Sequence, residues 1–176
     1  MLGDFYLEDI RRQFHGQKKL AEKAMAQVSD GQFFAALDSE SNSIGLIVKH
    51  LAGNLRSRWT DFYSSDGEKP DRHRDTEFEA TPEDTRASLR ERWEAGWGVL
   101  FEVVDSMKPE DLTRTVTIRD EPHSVVKALN RQLAHYAYHV GQIVFLAKHF
   151  AAGRWQSLSI PRGQSETFNE KKRGAK

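Results

Sequence analysis

The chain has 176 residues, no cysteine, and 26 basic side chains against 26 acidic ones. That length suits one domain with a sizeable core, and the absence of cysteine excludes disulfides, thiolate nucleophiles and thiolate metal ligands. A formal charge of zero leaves no basic footprint for nucleic acid, and no apolar run approaches the roughly 20 residues that a membrane span requires.

The start of the chain, Met1-Leu2-Gly3-Asp4-Phe5, lacks the basic opening and long apolar run of a secretory signal. The expected address is therefore the cytoplasm, and the lack of cysteine fits a reducing compartment.

Four segments carry helical periodicity. In the first, from about Leu2 to Val28, the residues Phe5, Ile10, Phe14, Ala21, Met25 and Val28 give an apolar stripe. Ser29-Asp30-Gly31 reads as its stop, with glycine past the end. The second runs from about Ser43 to Tyr63. Ile44, Ile47, Val48, Leu51, Leu55, Trp59 and Phe62 recur there at spacings of three and four, one broad face of an amphipathic helix. A polar stretch from Glu68 to Ala80 follows and reads as an exposed loop.

The third segment has Thr81 as a candidate N-cap, Pro82 at the first helical position, and Glu83-Asp84 at the positive end of the helix dipole. Leu89, Trp93, Trp97, Leu100, Val104 and Met107 line one face, and Pro109 ends the run. Thr115-Val116-Thr117-Ile118 alternates polar and apolar β-branched residues, which predicts a short strand or extended loop. The fourth helix is expected from about Ser124 to Phe150, with Val125, Leu129, Leu133, Tyr136, Val140, Ile143 and Ala147 as its stripe.

Four long amphipathic segments and little strand predict an all-α fold, a four-helix bundle with a short extended segment before the last helix. The domain is expected over residues 1–168 and a flexible C-terminal tail over 169–176, where Lys171-Lys172-Arg173 reads as a solvated end.

Seven histidines are present, and one pair, His135 and His139, stands at i, i+4. On a helix these side chains share a face one turn apart and can bind one metal ion. The spacing alone also fits two partly exposed polar residues beside a core stripe. Catalytic metal sites typically take a third protein ligand and leave a position open. His50 is the best third candidate, because it sits inside an apolar helix beside Ile47, Leu51 and Asn54. A buried histidine needs a partner, and a carbonyl or carboxylate would serve as well as a metal. His15, His73, His123 and His149 lack a histidine at ligand spacing.

The run His50-Leu51-Ala52-Gly53-Asn54-Leu55-Arg56-Ser57-Arg58-Trp59 and the later His135-Tyr136-Ala137-Tyr138-His139-Val140-Gly141-Gln142-Ile143 resemble the DinB-like superfamily. Within it the chain is most similar to the DUF1572 branch, as is Ile160-Pro161-Arg162-Gly163-Gln164-Ser165. The resemblance covers nearly the whole chain. It implies a four-helix bundle of up-down-down-up topology, a homodimer, and a divalent metal, most often zinc or nickel, on His50, His135 and His139. Some relatives use a low-molecular-weight thiol as co-substrate, whereas others have no established reaction.

Three neutral imidazoles would leave the ion its double charge, enough to bring bound water to a pKa near 7 or to hold a thiol as thiolate. Asn54, Arg131 and Gln142 stand within a turn of the histidines and are candidates to line the pocket or orient a ligand; ordinary helix-surface polarity is the alternative for each. No acidic residue lies between His135 and His139, which argues against a metalloprotease. The sequence therefore points to a metal-dependent thiol S-transferase or hydrolase acting on a small molecule. The alternative is a non-catalytic metal-binding stress-response or interaction protein, in which an ion staples two helices. A third reading is a metal-free helical module.

Overall fold

The computed structural model describes residues 2–174. Four long helices, α1 (Leu2–Met25), α3 (Ile44–Trp59), α4 (Arg86–Ser106) and α5 (Val125–Ala151), dominate the chain. Between them lie a short helix α2 (Asp30–Phe34) and a hairpin of β1 (Thr115–Ile118) and β2 (Glu121–Ser124). Strand β1 is the expected extended segment; β2, which the sequence does not predict, pairs with it antiparallel, Val116 opposite His123. A terminal helix, α6 (Ser165–Gly174), buries no residue. The last two residues of the expected tail, 175 and 176, lie outside the described range.

Helix α3 lies along α4, α1 lies along α5, and α3 also meets α5. All four share one apolar core, centred on Phe14, Leu51, Leu55, Trp59, Trp97, Leu100, Leu129 and Tyr136. Each aliphatic or phenyl side chain fully buried there contributes about 1.5–3 kcal/mol of transfer free energy.

Several boundaries differ from the sequence expectation. The stripe of α1 is Leu7, Ile10, Phe14, Ala21 and Ala24, while Phe5 falls out of phase and is 71% exposed. Ser29 is not a stop residue but the N-cap of α2, whose Gln32 side chain returns a bond to the Ser29 backbone in a capping box. Helix α3 ends at Trp59, two residues before Asp61 enters the left-handed region at φ 49°.

Helix α4 begins at Arg86, not at Pro82. Thr85 and Ser88 form its capping box, and Asp84 is held in the preceding turn by Lys49 at 2.7 Å and by the Thr81 backbone at 3.0 Å. Reciprocal bonds at Thr85 satisfy the first-turn amides, so the helix has no need to extend back to Thr81.

Candidate metal centre

His50 lies on α3 and His135 and His139 lie on α5, so the site forms where those two helices meet. Beneath it, the Trp59 indole N–H donates to the Tyr136 hydroxyl at 2.9 Å, and that hydroxyl donates to Asn54 Oδ1 at 3.2 Å. This buried chain ties the two helices at the level of the histidines and fixes their relative rotation. It also satisfies Tyr136, whose hydroxyl burial would otherwise penalise.

The ligand-capable atoms of His50, His135 and His139 all lie within 4.8 Å of one another. His50 Nε2 and His135 Nε2 are 3.3 Å apart. Two nitrogens bound tetrahedrally at the usual zinc distance of about 2.0–2.1 Å are separated by about 3.3 Å. His50 is buried and the other two are half-buried.

The remaining ring atoms fix which nitrogen is free. His50 Nδ1 stands 2.8 Å from the Glu77 carboxylate and donates to it, which makes Nε2 the nitrogen available to a metal. His139 Nδ1 likewise meets Gln142 Oε1 at 2.8 Å. Burial, reinforced by His139 and His50, pushes His135 down from 6.5 to about 3. Burial also pushes His139 down to about 4, against an opposing hydrogen bond to Gln142. Both imidazoles are therefore neutral at neutral pH. Three imidazoles converging at this spacing fit a divalent cation, and the carboxylate behind His50 is the usual partner of a metal-binding imidazole.

Glu77 is the residue that the sequence did not disclose. Arg72 grips it with two bonds of 2.8 Å, one to each oxygen. Burial alone would raise its carboxyl; the bonds from Arg72 and His50 outweigh burial and hold it below the ordinary carboxylate range. Phe78 stacks on the His50 ring at 4.7 Å between centroids. Gly53 makes the approach feasible, because a Cβ there would stand 2.1 Å from Glu77 Oε1.

The expectation of an exposed loop from Glu68 to Ala80 holds for most of the stretch, where Asp71, Arg74, Asp75 and Glu79 are exposed, and fails at Arg72 and Glu77. Its centre is a 3-10 turn, Arg74–Phe78, that packs on α3. The Arg72 and Glu77 side chains are only 5% and 9% exposed. These two charges are buried because they neutralise one another, a pairing invisible to local composition.

The other sequence candidates fall into place. Gln142 orients His139. Asn54 is buried and accepts from Tyr136, and it also faces the cavity above the histidines. Arg131 lines that cavity and donates to His123 Nε2 at 3.3 Å. His15 instead stacks on Phe101 at 3.9 Å, and neither His73, His123 nor His149 joins the cluster.

The cavity over the three histidines has a volume of about 470 Å³. A larger one, about 700 Å³, lies on the other flank of α3 between Gly53, Gly96 and Arg56. Among the described residues that one holds no group of three side chains placed to share a metal ion, so the smaller cavity is the candidate centre.

Fold and site together define a mainly helical protein with a three-histidine group able to hold a metal ion. Residues 1–164 match the family described as "Protein of unknown function (DUF1572)", and the chain belongs to that family. No curated protein matches it. No helix among the described residues is long and apolar enough to cross a membrane.

Proposed function

We propose that the protein binds one divalent metal ion through His50, His135 and His139 and uses it in a transfer or hydrolysis reaction on a small molecule. The convergence of three histidine ligand atoms within 4.8 Å, two of them with their other ring nitrogen hydrogen-bonded, carries this reading. An ion held there supplies a double positive charge that makes a water or thiol acidic enough to act as a nucleophile near neutral pH. Glu77 and Gln142 set the tautomers of His50 and His139. The adjoining cavity of about 470 Å³ falls within the roughly 300–1,000 Å³ typical of small-molecule sites, which favours a reaction over a purely structural ion.

Zinc or nickel suits an all-imidazole donor set, though supply during expression also decides which metal is found. The DinB-like resemblance supports the finer features: an up-down-down-up bundle over residues 1–168, a homodimer, a low-molecular-weight thiol as co-substrate, and a cytoplasmic setting.

Zinc-loaded and chelated protein, assayed against a panel of thiol acceptors and esters, tests the reading. Turnover that requires the ion, and disappears in His139→Ala while the helical circular-dichroism signal persists, supports it. No ion-dependent rate across the panel leaves the alternative, an ion that staples α3 to α5. A large fall in melting temperature on chelation is the signature of that second role.

A further inference from the structure

We propose that the cavity above the histidines takes a small molecule bearing an anionic oxygen group, a carboxylate or a phosphate, held by Arg119 and Arg131. The inference rests on reading the cavity as a substrate site and adds the chemical class of substrate.

Five guanidinium groups, those of Arg58, Arg72, Arg74, Arg119 and Arg131, line the cavity, and no carboxylate does. The acids behind them are too few to neutralise them. Glu68 alone serves Arg58 at 3.2 Å, Arg72 at 3.3 Å and Arg119 at 3.1 Å. Glu77 is already shared by Arg72 and His50. Among the described residues the only acid that Arg74 meets is the exposed Asp75, at 3.6 Å. The whole chain is formally neutral, so this positive excess is local to the site.

Arg131 and Arg119 are the two best placed for a ligand. Among the described residues Arg131 has no carboxylate partner; its side-chain contact is with His123 Nε2. His123 is buried, and burial, with Lys127 and Arg131 nearby, pushes its pKa down. A neutral imidazole steers the guanidinium and leaves its charge uncompensated. One turn further along α5 stands His135, so an anion on Arg131 lies beside the ligand cluster.

Arg119 is held in an unfavourable backbone conformation. Arg119 and Asp120 form the tip of the β1–β2 hairpin at φ 55° and 61°, the left-handed region that glycine or asparagine normally fills there. Asp66 accepts both of their amide N–H groups at 2.9 Å and so maintains the turn. Strain kept at a tip that places a guanidinium over a cavity points to a functional role for that side chain. The planar donor fork of arginine matches the geometry of carboxylate and phosphate. Gln132, 2% exposed and with its side-chain oxygen unpartnered, adds a polar amide to the same wall.

Calorimetric titration of the zinc-loaded protein with succinate, methyl phosphate and the neutral succinamide tests the proposal. Binding of succinate or methyl phosphate, with succinamide at least tenfold weaker, is expected, and the preferred probe tells carboxylate from phosphate. The double variant Arg119→Gln/Arg131→Gln is expected to lose at least tenfold in affinity with unchanged zinc content. Arg131→Lys, which keeps the charge without the fork, is expected to fall between and covers the case of a misfolded double variant. Anion affinities equal in wild type and variants, or no preference over succinamide, would overturn the proposal. Zinc content of the same samples reports separately on the metal reading, and titration of zinc-free protein tests the two arginines even where no ion binds.

Discussion

Replacing Glu77 by glutamine puts the outer support of the site to a quantitative test. The substitution preserves shape and removes charge. Glu77 accepts from three donors, His50 Nδ1 and Arg72 Nη2 on Oε2 and Arg72 Nε on Oε1, each at 2.8 Å. A glutamine amide nitrogen in place of Oε1 sets one of those contacts donor against donor, and in place of Oε2 it does so to two. Two consequences follow. The His50 tautomer is no longer fixed, and loss of such a partner typically weakens a metal site about 10- to 100-fold, equivalent to about 1.4–2.8 kcal/mol. Arg72, only 5% exposed, also loses its main counter-charge. Breaking a buried ion pair from one side costs about 3–5 kcal/mol, and Glu68, still 3.3 Å from Arg72, brings the cost here below that range's upper end. Competition of the protein with a chromophoric chelator at fixed pH gives the zinc affinity, and a denaturant melt of metal-free protein gives the stability. A Glu77→Gln variant with wild-type zinc affinity would refute the role assigned to the carboxylate.

Gly53→Ala is expected to mimic that variant. Alanine normally stabilises a helix interior by about 1 kcal/mol over glycine. Here its Cβ would sit 2.1 Å from Glu77 Oε1 and push the carboxylate off His50, so chelator competition should show weaker zinc binding and melting should not rise. Gln142→Ala should lower zinc affinity less than Glu77→Gln, because it removes a neutral partner from a half-buried ring, and the same competition assay ranks the two. Besides Glu77, acid sensitivity should come from Asp66 and Asp84. Burial alone would raise both carboxyls, but hydrogen bonds to the Asp66 turn and from Lys49 and Thr81 to Asp84 hold them below 3.8. Their folded pKa values are depressed, so their stabilisation is complete above pH 3.8 and is lost as pH falls through the folded values; Asp66→Asn should flatten that part of a stability–pH profile.

The helices and their ligand set are legible in the sequence because their signals are local. Spacings of three and four mark Ile44 to Trp59 and Val125 to Ala147, and His135 and His139 share a face by periodicity alone. Gln142 is likewise reachable by counting along one helix. Glu77 is not, because it stands 27 residues from His50 in a run of charges that looks solvated until its pairing with Arg72 is seen. Gly53, three residues after His50, is a local hint that something must approach α3 closely beside the histidine. The false start at Thr81-Pro82 has a similar origin. Asp84 looks like a first-turn acid but is recruited by Lys49, 35 residues away. The arginine-rich cavity gathers residues from α3, the loop, the hairpin tip and α5, and no single stretch of sequence displays the excess.

The most direct test of the account is the metal content per chain, by elemental analysis after zinc loading and desalting, of the wild type and of His50→Ala. The account predicts about one ion per wild-type chain, from one three-histidine group, and little or none in the variant. A wild-type chain that retains no ion after loading, or a variant that retains as much as the wild type, would contradict it.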